Sequence, residues 1–530
     1  MVNTGVMTTV RETVHELLRG WGLTTVFGNP GSNELPFLDR FPADFRYVLG
    51  LHEGTVLAMA DGYAQATGRP ALVNLHAAAG LGNAMGNLAN ARQQHTPLIV
   101  TAGQQARNMV GLGAMLSEPE LTTVPRPHVK AALEPLRAQD VPRALAEAYH
   151  LSTLPPAGPV FVSLPLDDWA AEVVPHEVEH LGRRRVTSLA APAEGEIERL
   201  AARLDAAKAP VLVVGPEADR EPVFDQVVKL AEAANLPVWL PPGPPRCGFP
   251  TTHPHYRGVL PNTVNGITET LAGHDFVLVL GAPVFRYHVN KPGPFLPAGT
   301  ELVAVISDPA AAARSPMGDA LVGDVGEVVS RLAGLVTGSG RPPVPPRPAA
   351  QAVPAASAPF PAEAVFDVLA DVLPPDAVLV NESTSNTGAF WARIPIRRSG
   401  GLYFPAAGGL GFGLPAAVGV ALADPGRRVF AVLGDGAAQY GIQGLWTAAH
   451  HRLPITFLVL RNDEYGALRR FTGRLGVSEV PGMDLPGIDV VSVARGYGLP
   501  ARRVEDAGAL RDALAATGGP LVVEVPITRT

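Results

Sequence analysis

Val429-Phe430-Ala431-Val432-Leu433-Gly434-Asp435-Gly436-Ala437-Ala438-Gln439-Tyr440 is the stretch that decides the fold. An apolar run without a polar interruption suits a strand buried on both faces of a parallel sheet, and here it passes straight into Gly434-Asp435-Gly436. The glycines allow a sharp turn and bring backbone N–H groups close to a ligand. The aspartate falls at the strand's carboxyl end, where open α/β sheets bind ligands. The helical segment that follows carries Ile442, Leu445, Trp446 and Ala449 on one face, and a second apolar run, Ile455 to Leu460, then ends at Arg461-Asn462-Asp463-Glu464. Strand, helix, strand is the repeat of a doubly wound parallel sheet.

Similar apolar runs recur along the chain. Thr25 to Phe27, Ala71 to Leu75, Leu98 to Thr101 and Val160 to Leu164 form one set, and a strand is also placed ahead of Leu51. Val211 to Val214, Val238 to Leu240, Phe276 to Leu280 and Leu302 to Ile306 form a second. Ala377 to Val380, with the two runs above and Leu521 to Val525, forms a third. The fold class is therefore α/β, three doubly wound parallel-sheet domains, with boundaries at 1–180, 181–345 and 346–530. The junctions are a charged, broken stretch from Pro175 to Gly195 and a Pro/Ala-rich one from Thr337 to Ala362. The triplet Arg183-Arg184-Arg185 reads as solvated linker.

Composition narrows the function classes. The 530 residues suit three domains of ordinary size, and a net charge of −7 gives no electrostatic footprint for nucleic acid or anionic lipid. One cysteine, Cys247, excludes an internal disulfide framework and a cysteine-built zinc or iron–sulfur site. The N-terminal segment has a capping-box pattern from Thr9 to Glu12 and apolar residues at helical spacing, so it reads as a first helix, not a signal peptide. The longest apolar stretch, Leu410 to Ala423, is broken by glycines and Pro415 and is too short to span a bilayer. A soluble cytoplasmic protein is expected, with small molecules or its own copies as partners.

Asp435 and Asn462 end two successive strands, so their side-chain oxygens can converge on a hard cation such as Mg2+, which favours sparse oxygen ligands shared with phosphate. Singly, either residue reads as a turn former. Gly411-x-Gly413-x-x-Ala416 formally matches a dinucleotide fingerprint, but prolines crowd it and no strand leads directly into it. The Asn381-Glu382-Ser383-Thr384-Ser385 turn offers hydroxyl and N–H groups to a diphosphate. His450-His451 reads as a surface pair.

The segment Gly434-Asp435-Gly436, 24 residues, then Arg461-Asn462 resembles the cofactor signature of the thiamine diphosphate enzyme family, which is GDG, about two dozen residues, then two asparagines. Arg461 departs from that pattern. The resemblance implies thiamine diphosphate and Mg2+ as cofactors, with metal ligands Asp435, Asn462 and the backbone carbonyl of Glu464. It gives Glu53, in Leu51-His52-Glu53-Gly54, the role of the carboxylate that activates the aminopyrimidine ring. Leu410 becomes the apolar wedge that keeps the cofactor bent. Thr384, Ser385, Gly408, Gly436, Ala437 and Tyr440 become further cofactor contacts.

Gly28-Asn29-Pro30-Gly31-Ser32-Asn33-Glu34-Leu35, Asn74 to Gly80 and Gly281 to His288 resemble the branch of that family that decarboxylates aromatic 2-oxo acids, and the likeness runs over nearly the whole chain. By that resemblance Ser32, His76 and His288 face the substrate. His76 serves the early proton transfers and the carboxylate contact, and His288 the product side. Ser32, Phe404, Pro405, Ala467 and Phe471 line the pocket, where Pro405 replaces a small residue and would shift preference toward other bulky 2-oxo acids. The same resemblance implies a homotetramer, a dimer of dimers, with active sites shared between subunits. Three readings compete: an acetolactate synthase-like carboligase, an FAD-containing oxidase, and a diphosphate-binding module without turnover.

Overall fold

The computed structural model describes residues 8–188, 191–337, 340–354 and 357–529. Parts of both expected junctions, 189–190, 338–339 and 355–356, lie outside the described residues.

Three six-stranded parallel sheets carry the chain. The first comprises β1 (Thr25–Gly28), β2 (Arg46–Leu49), β3 (Ala71–Leu75), β4 (Leu98–Gln104), β5 (Ala132–Leu133) and β6 (Val160–Pro165), in the order β2-β1-β3-β4-β6-β5. The second comprises β7 (Pro210–Val214), β8 (Val238–Leu240), β9 (Tyr256–Val259), β10 (Phe276–Leu280), β11 (Glu301–Ile306) and β12 (Asp319–Val322), in the order β12-β11-β10-β7-β8-β9. The third comprises β13 (Val378–Glu382), β14 (Leu402–Tyr403), β15 (Val429–Gly434), β16 (Ile455–Arg461), β17 (Ala501–Arg503) and β18 (Leu521–Pro526), in the order β14-β13-β15-β16-β18-β17.

Every apolar run marked in the sequence is a strand in a sheet interior, buried along most of its length, as the two-faced burial of a parallel sheet requires. The strands without such runs, β2, β5, β9, β12, β14 and β17, are the two edges of each sheet. The first helix, Val10–Trp21, begins at the expected capping box, with Thr9 and Glu12 bonded reciprocally, and buries Val10, Val14, Leu17, Leu18 and Trp21.

Packing divides the described residues into two compact units: those of 8–187 with Pro405–Arg503 and Thr517–Glu524, and those of 188–404 with Val504–Ala516 and 525–529. In the first unit, helix Glu53–Thr67 lies against helix Gly413–Ala423 so closely that a Cβ at Gly419 would stand 1.8 Å from the Met59 carbonyl oxygen. Both helices are buried nearly all round, which is why neither shows a polar face in its sequence. In the second unit Cys247 is fully buried, its thiol donating to the Phe249 carbonyl at 3.1 Å.

Two local expectations need correction. The segment after Asp435 is two short helices, Asp435–Gln439 and Gly444–His450, because the chain between them is pressed against Pro415 and the Gly411 carbonyl. Of the expected face Ile442 and Leu445 are buried, as are Gly444, Thr447 and Ala448, whereas Trp446 and Ala449 are half-buried. β14 ends at Tyr403, and Phe404 to Leu410 separate it from Gly411, so no strand leads directly into the fingerprint match. His450 is exposed and stacked on Trp446 at 5.1 Å, but His451 is half-buried, and burial pulls its imidazole below the ordinary range.

Gly419→Ala is expected to destabilise the chain by about 1–3 kcal/mol, because its methyl meets backbone that cannot swing aside. Gly20→Ala, in a helix with open space around it, is expected to raise stability slightly. Thermal unfolding midpoints of the two variants should move in opposite directions.

Candidate active site

The site elements of the first unit sit at the carboxyl ends of β1, β2 and β3. Glu34 organises them. Its side chain is 1% exposed, and its carboxylate accepts from the backbone N–H groups of Gly31 (2.9 Å), Ala77 (3.3 Å) and Gly103 (2.9 Å) and from His76 Nδ1 (2.8 Å). One buried carboxylate thus ties the loop after β1, the turn after β3 and the end of β4. A histidine nitrogen facing a carboxylate carries the proton, so His76 keeps Nε2 for chemistry. A Cβ at Gly31 would stand 2.0 Å from His76 Nδ1, so the loop carrying Ser32 lies directly against the imidazole. Ser32 itself is exposed and caps no helix, its hydroxyl reaching Asn33 Oδ1 at 3.4 Å.

Glu53 opens helix Glu53–Thr67 and is buried. His52 is the cap, its Nδ1 accepting from the Gly54 N–H at 3.1 Å. Asn83 Nδ2 donates to Glu53 Oε2 at 3.0 Å and Asn29 Nδ2 reaches Oε1 at 3.5 Å, which aims the carboxylate from both sides. On the helix that carries Asn83, Asn87 and Asn90 donate to the Gly411 and Gly409 carbonyls at 3.3 and 3.0 Å, and Asn90 Oδ1 accepts from Ala407. These amides hold the Gly-rich loop, leaving Leu410 half-buried and Gly408 exposed with φ +78°.

A second cluster lies at the ends of β15 and β16. Asp435 is buried, and burial pushes its carboxyl above the ordinary range, against the Asp463 and Gly436 N–H groups at 2.8 and 2.9 Å that favour the charge. The Asn462 side-chain amide faces Asp435 Oδ1 at 3.3 Å and the Glu464 carbonyl oxygen at 2.9 Å. With the amide oxygen on that side, three oxygens converge with no proton between them, an arrangement that a hard cation stabilises. The donor set fits Mg2+. Tyr440 is 55% exposed beside it, hydrogen-bonded to Tyr465, and its Cβ lies where a side chain at Gly411 would need to be. Gly436 and Ala437 are buried at this strand end, and Ala467 and Phe471 are half-buried on helix Gly466–Leu475.

Thr384, Ser385, Phe404 and His288 fall in the second unit. Thr384 and His288 are exposed, while Ser385 and Phe404 are half-buried; Pro405, the first residue of the next segment, is buried. The turn expected from Asn381 to Ser385 begins later, since β13 continues to Glu382 and the Asn381 side chain accepts from Ser383 N and Oγ at 3.0 and 2.7 Å. Thr384 and Ser385 lie beyond that strand, in the short helical turn Thr384–Asn386.

Parallel strands that end in a buried carboxylate on one sheet and a cluster of oxygen-bearing side chains on another are an arrangement suited to a phosphorylated cofactor held beyond the strand ends. The chain belongs to the thiamine pyrophosphate enzyme family: residues 8–124 match its N-terminal TPP binding domain, 197–332 its central domain and 384–525 its C-terminal TPP binding domain. It is 53% identical to benzoylformate decarboxylase of Pseudomonas aeruginosa over 98% of this chain and 99% of that one. A thiamine diphosphate-dependent 4-hydroxybenzoylformate decarboxylase of Rhodococcus jostii RHA1 superposes with TM-score 0.96 at 50% identity, covering 99% of this chain and 100% of the other. A putative acetolactate synthase large subunit of Mycobacterium tuberculosis is 32% identical over 95% of this chain and 96% of its own length.

Glu34, Asn29 and Asn83 escaped the sequence reading. The signal for Glu34 was a carboxylate two residues past Ser32; only the sheet order brings the ends of β3 and β4 to it.

In the second sheet, β7 and β10 are neighbours from which the strand order departs in both directions, the place where a doubly wound sheet takes a nucleotide. Here it is filled. Glu217 lies against Gly281, its carboxylate accepts from Ser307 N at 3.1 Å, and a Cβ at Gly215 would stand 2.3 Å from the Gly281 carbonyl oxygen. Burial pushes Glu217 up from the ordinary 4.5 to about 7. The folded chain therefore holds a proton that the unfolded chain releases between those values, so this group's contribution to stability falls as pH rises from about 4.5 through about 7. Unfolding of Glu217→Gln by denaturant at several pH values should show that decline removed.

Proposed function

We propose that the protein is a thiamine diphosphate- and Mg2+-dependent, non-oxidative decarboxylase of aromatic 2-oxo acids, converting benzoylformate (phenylglyoxylate) to benzaldehyde and carbon dioxide, with carboligation as a side activity. The observation that carries it is the Glu34 cluster, which presents His76 and the Ser32 loop together at the strand ends that also hold Glu53. The named relatives that decarboxylate benzoylformates support the same reading. The Glu217-filled crevice speaks against a flavin in the central region and so against the oxidase.

Thiamine diphosphate, when bound, supplies a nucleophilic carbon and an electron sink for the departing carboxylate. The chain's residues do the rest. Asp435, Asn462 and the Glu464 carbonyl would hold Mg2+, while Thr384, Ser385, Gly408, Gly436, Ala437 and Tyr440 would receive the cofactor, and Leu410 would support it from below. Glu53 hydrogen-bonds the cofactor's pyrimidine ring, its carboxylate aimed by Asn83. Ser32 donates to the substrate carboxylate, and His76, tethered at Nδ1, moves the early protons at Nε2. His288 delivers the later proton on the product side. Phe404, Phe471, Pro405 and Ala467 form the walls against the aryl ring, where aromatic stacking favours a phenyl group.

The domain boundaries follow as 1–180, 181–345 and 346–530, with a cytoplasmic setting and a homotetramer whose active sites are shared between subunits. Leu112, Met115 and Leu136, exposed to 76, 84 and 92%, support self-association.

Purified protein with thiamine diphosphate and Mg2+ should release benzaldehyde and carbon dioxide from phenylglyoxylate and stop on chelation. Turnover of pyruvate or a branched 2-oxo acid alone would move the specificity, through Pro405, away from aryl substrates. Glu53→Gln is expected to bind cofactor yet lose about 10²–10⁴-fold in kcat; undiminished turnover would sink the assignment. His76→Ala and His288→Ala should accumulate different species in rapid-quench experiments.

A further inference from the structure

The loop that would carry the cation, residues 462–464, is held from behind by an ion pair. Asp463, between the two ligand-bearing residues, has φ +56°, a left-handed conformation that aspartate tolerates better than most residues. That turn lets the Asn462 amide stand between Asp435 Oδ1 (3.3 Å) and the Glu464 carbonyl oxygen (2.9 Å), while the Asp463 N–H donates to Asp435 Oδ2 at 2.8 Å. The Asp463 side chain meets Arg461 Nε at 2.7 Å. Arg461 ends β16 and is anchored in turn, its guanidinium reaching Glu524 Oε1 at 3.3 Å. Glu524 is fully buried on β18 and also receives Arg503 from β17. On the far side, the Asp463 carbonyl accepts from Leu485 N at 2.9 Å.

We propose that Arg461 is a positioning residue for the metal: through Asp463 it locks residues 462–464 in the geometry that binds the cation, and so sets metal affinity. The inference rests on the assignment of Asp435, Asn462 and Glu464 as the metal site. Arg461 and Asp463 carry opposite charges in direct contact, so at the cation their fields largely cancel and what remains is geometry. Outer residues that orient metal ligands typically contribute 10–100-fold to affinity.

The test is calorimetric titration of MgCl2 into the full chain saturated with thiamine diphosphate, for wild type, Arg461→Met, Asp463→Asn and the double variant, with Asp435→Asn as the control for the site. Asparagine tolerates the left-handed conformation, so Asp463→Asn keeps the test alive should Arg461→Met fail to fold. Positioning predicts that both single variants weaken Mg2+ binding about 10–100-fold and that the double variant, whose net charge equals wild type, is weakened no more than either. A purely electrostatic role predicts tighter binding in Arg461→Met, weaker in Asp463→Asn and wild-type affinity in the double variant, and would overturn the proposal. Affinities within twofold of wild type in all three would overturn it as well. Unchanged binding in Asp435→Asn would instead remove the metal site itself, and the positioning role with it.

Discussion

The approach of helix Glu53–Thr67 to helix Gly413–Ala423 is the constraint on which the first unit depends. Met59 offers its carbonyl oxygen to Gly419 with no room for a side chain, and Gly62 meets Ala416 in the same way. One helix begins with Glu53 and the other follows directly on the Gly-rich loop of Leu410, so the spacing of the two axes also sets the spacing of the groups at their amino ends. The asparagines at 87 and 90 extend the same contact into hydrogen bonds to the loop's carbonyls. Small residues and amides, not bulky apolar side chains, fix this part of the molecule.

Around that frame the buried acids divide their work. Glu34 touches three backbone N–H groups and an imidazole, and its task is geometric. Glu53 is aimed by amides and left otherwise available. Asp435 meets two backbone N–H groups and the Asn462 side-chain amide, yet burial still pushes its carboxyl above the ordinary range. Glu217, in the second unit, fills a crevice, and its burial favours the protonated form. The difference lies in what surrounds each carboxyl, which is invisible in a linear string of Glu and Asp.

That contrast explains how far the sequence could be read. Interior strands were legible because burial on both faces forces an unbroken apolar run, as in Val211 to Val214 or Phe276 to Leu280. Edge strands such as Asp319–Val322 and Ala501–Arg503 have partly exposed residues, and no run forms. Asp435 and Asn462 stand just past the ends of two interior strands because a single residue separates each from such a run. Asn381 was misjudged because the strand continued past the apolar stretch and its side chain turned back on Ser383. The central helix face was misjudged because a tight passage against Pro415 broke one helix into two.

The sequence's single cysteine is sealed inside the second unit, and burial raises its thiol well above the ordinary range. The native chain is therefore almost blind to maleimides and to mild oxidants without any engineering. A cysteine introduced on the surface would be the one reactive thiol in the molecule, so a fluorophore or spin label could be placed beside the 462–464 loop or the Ser32 loop and report on each separately. A residue with no part in the chemistry thereby makes the chemistry accessible to spectroscopy.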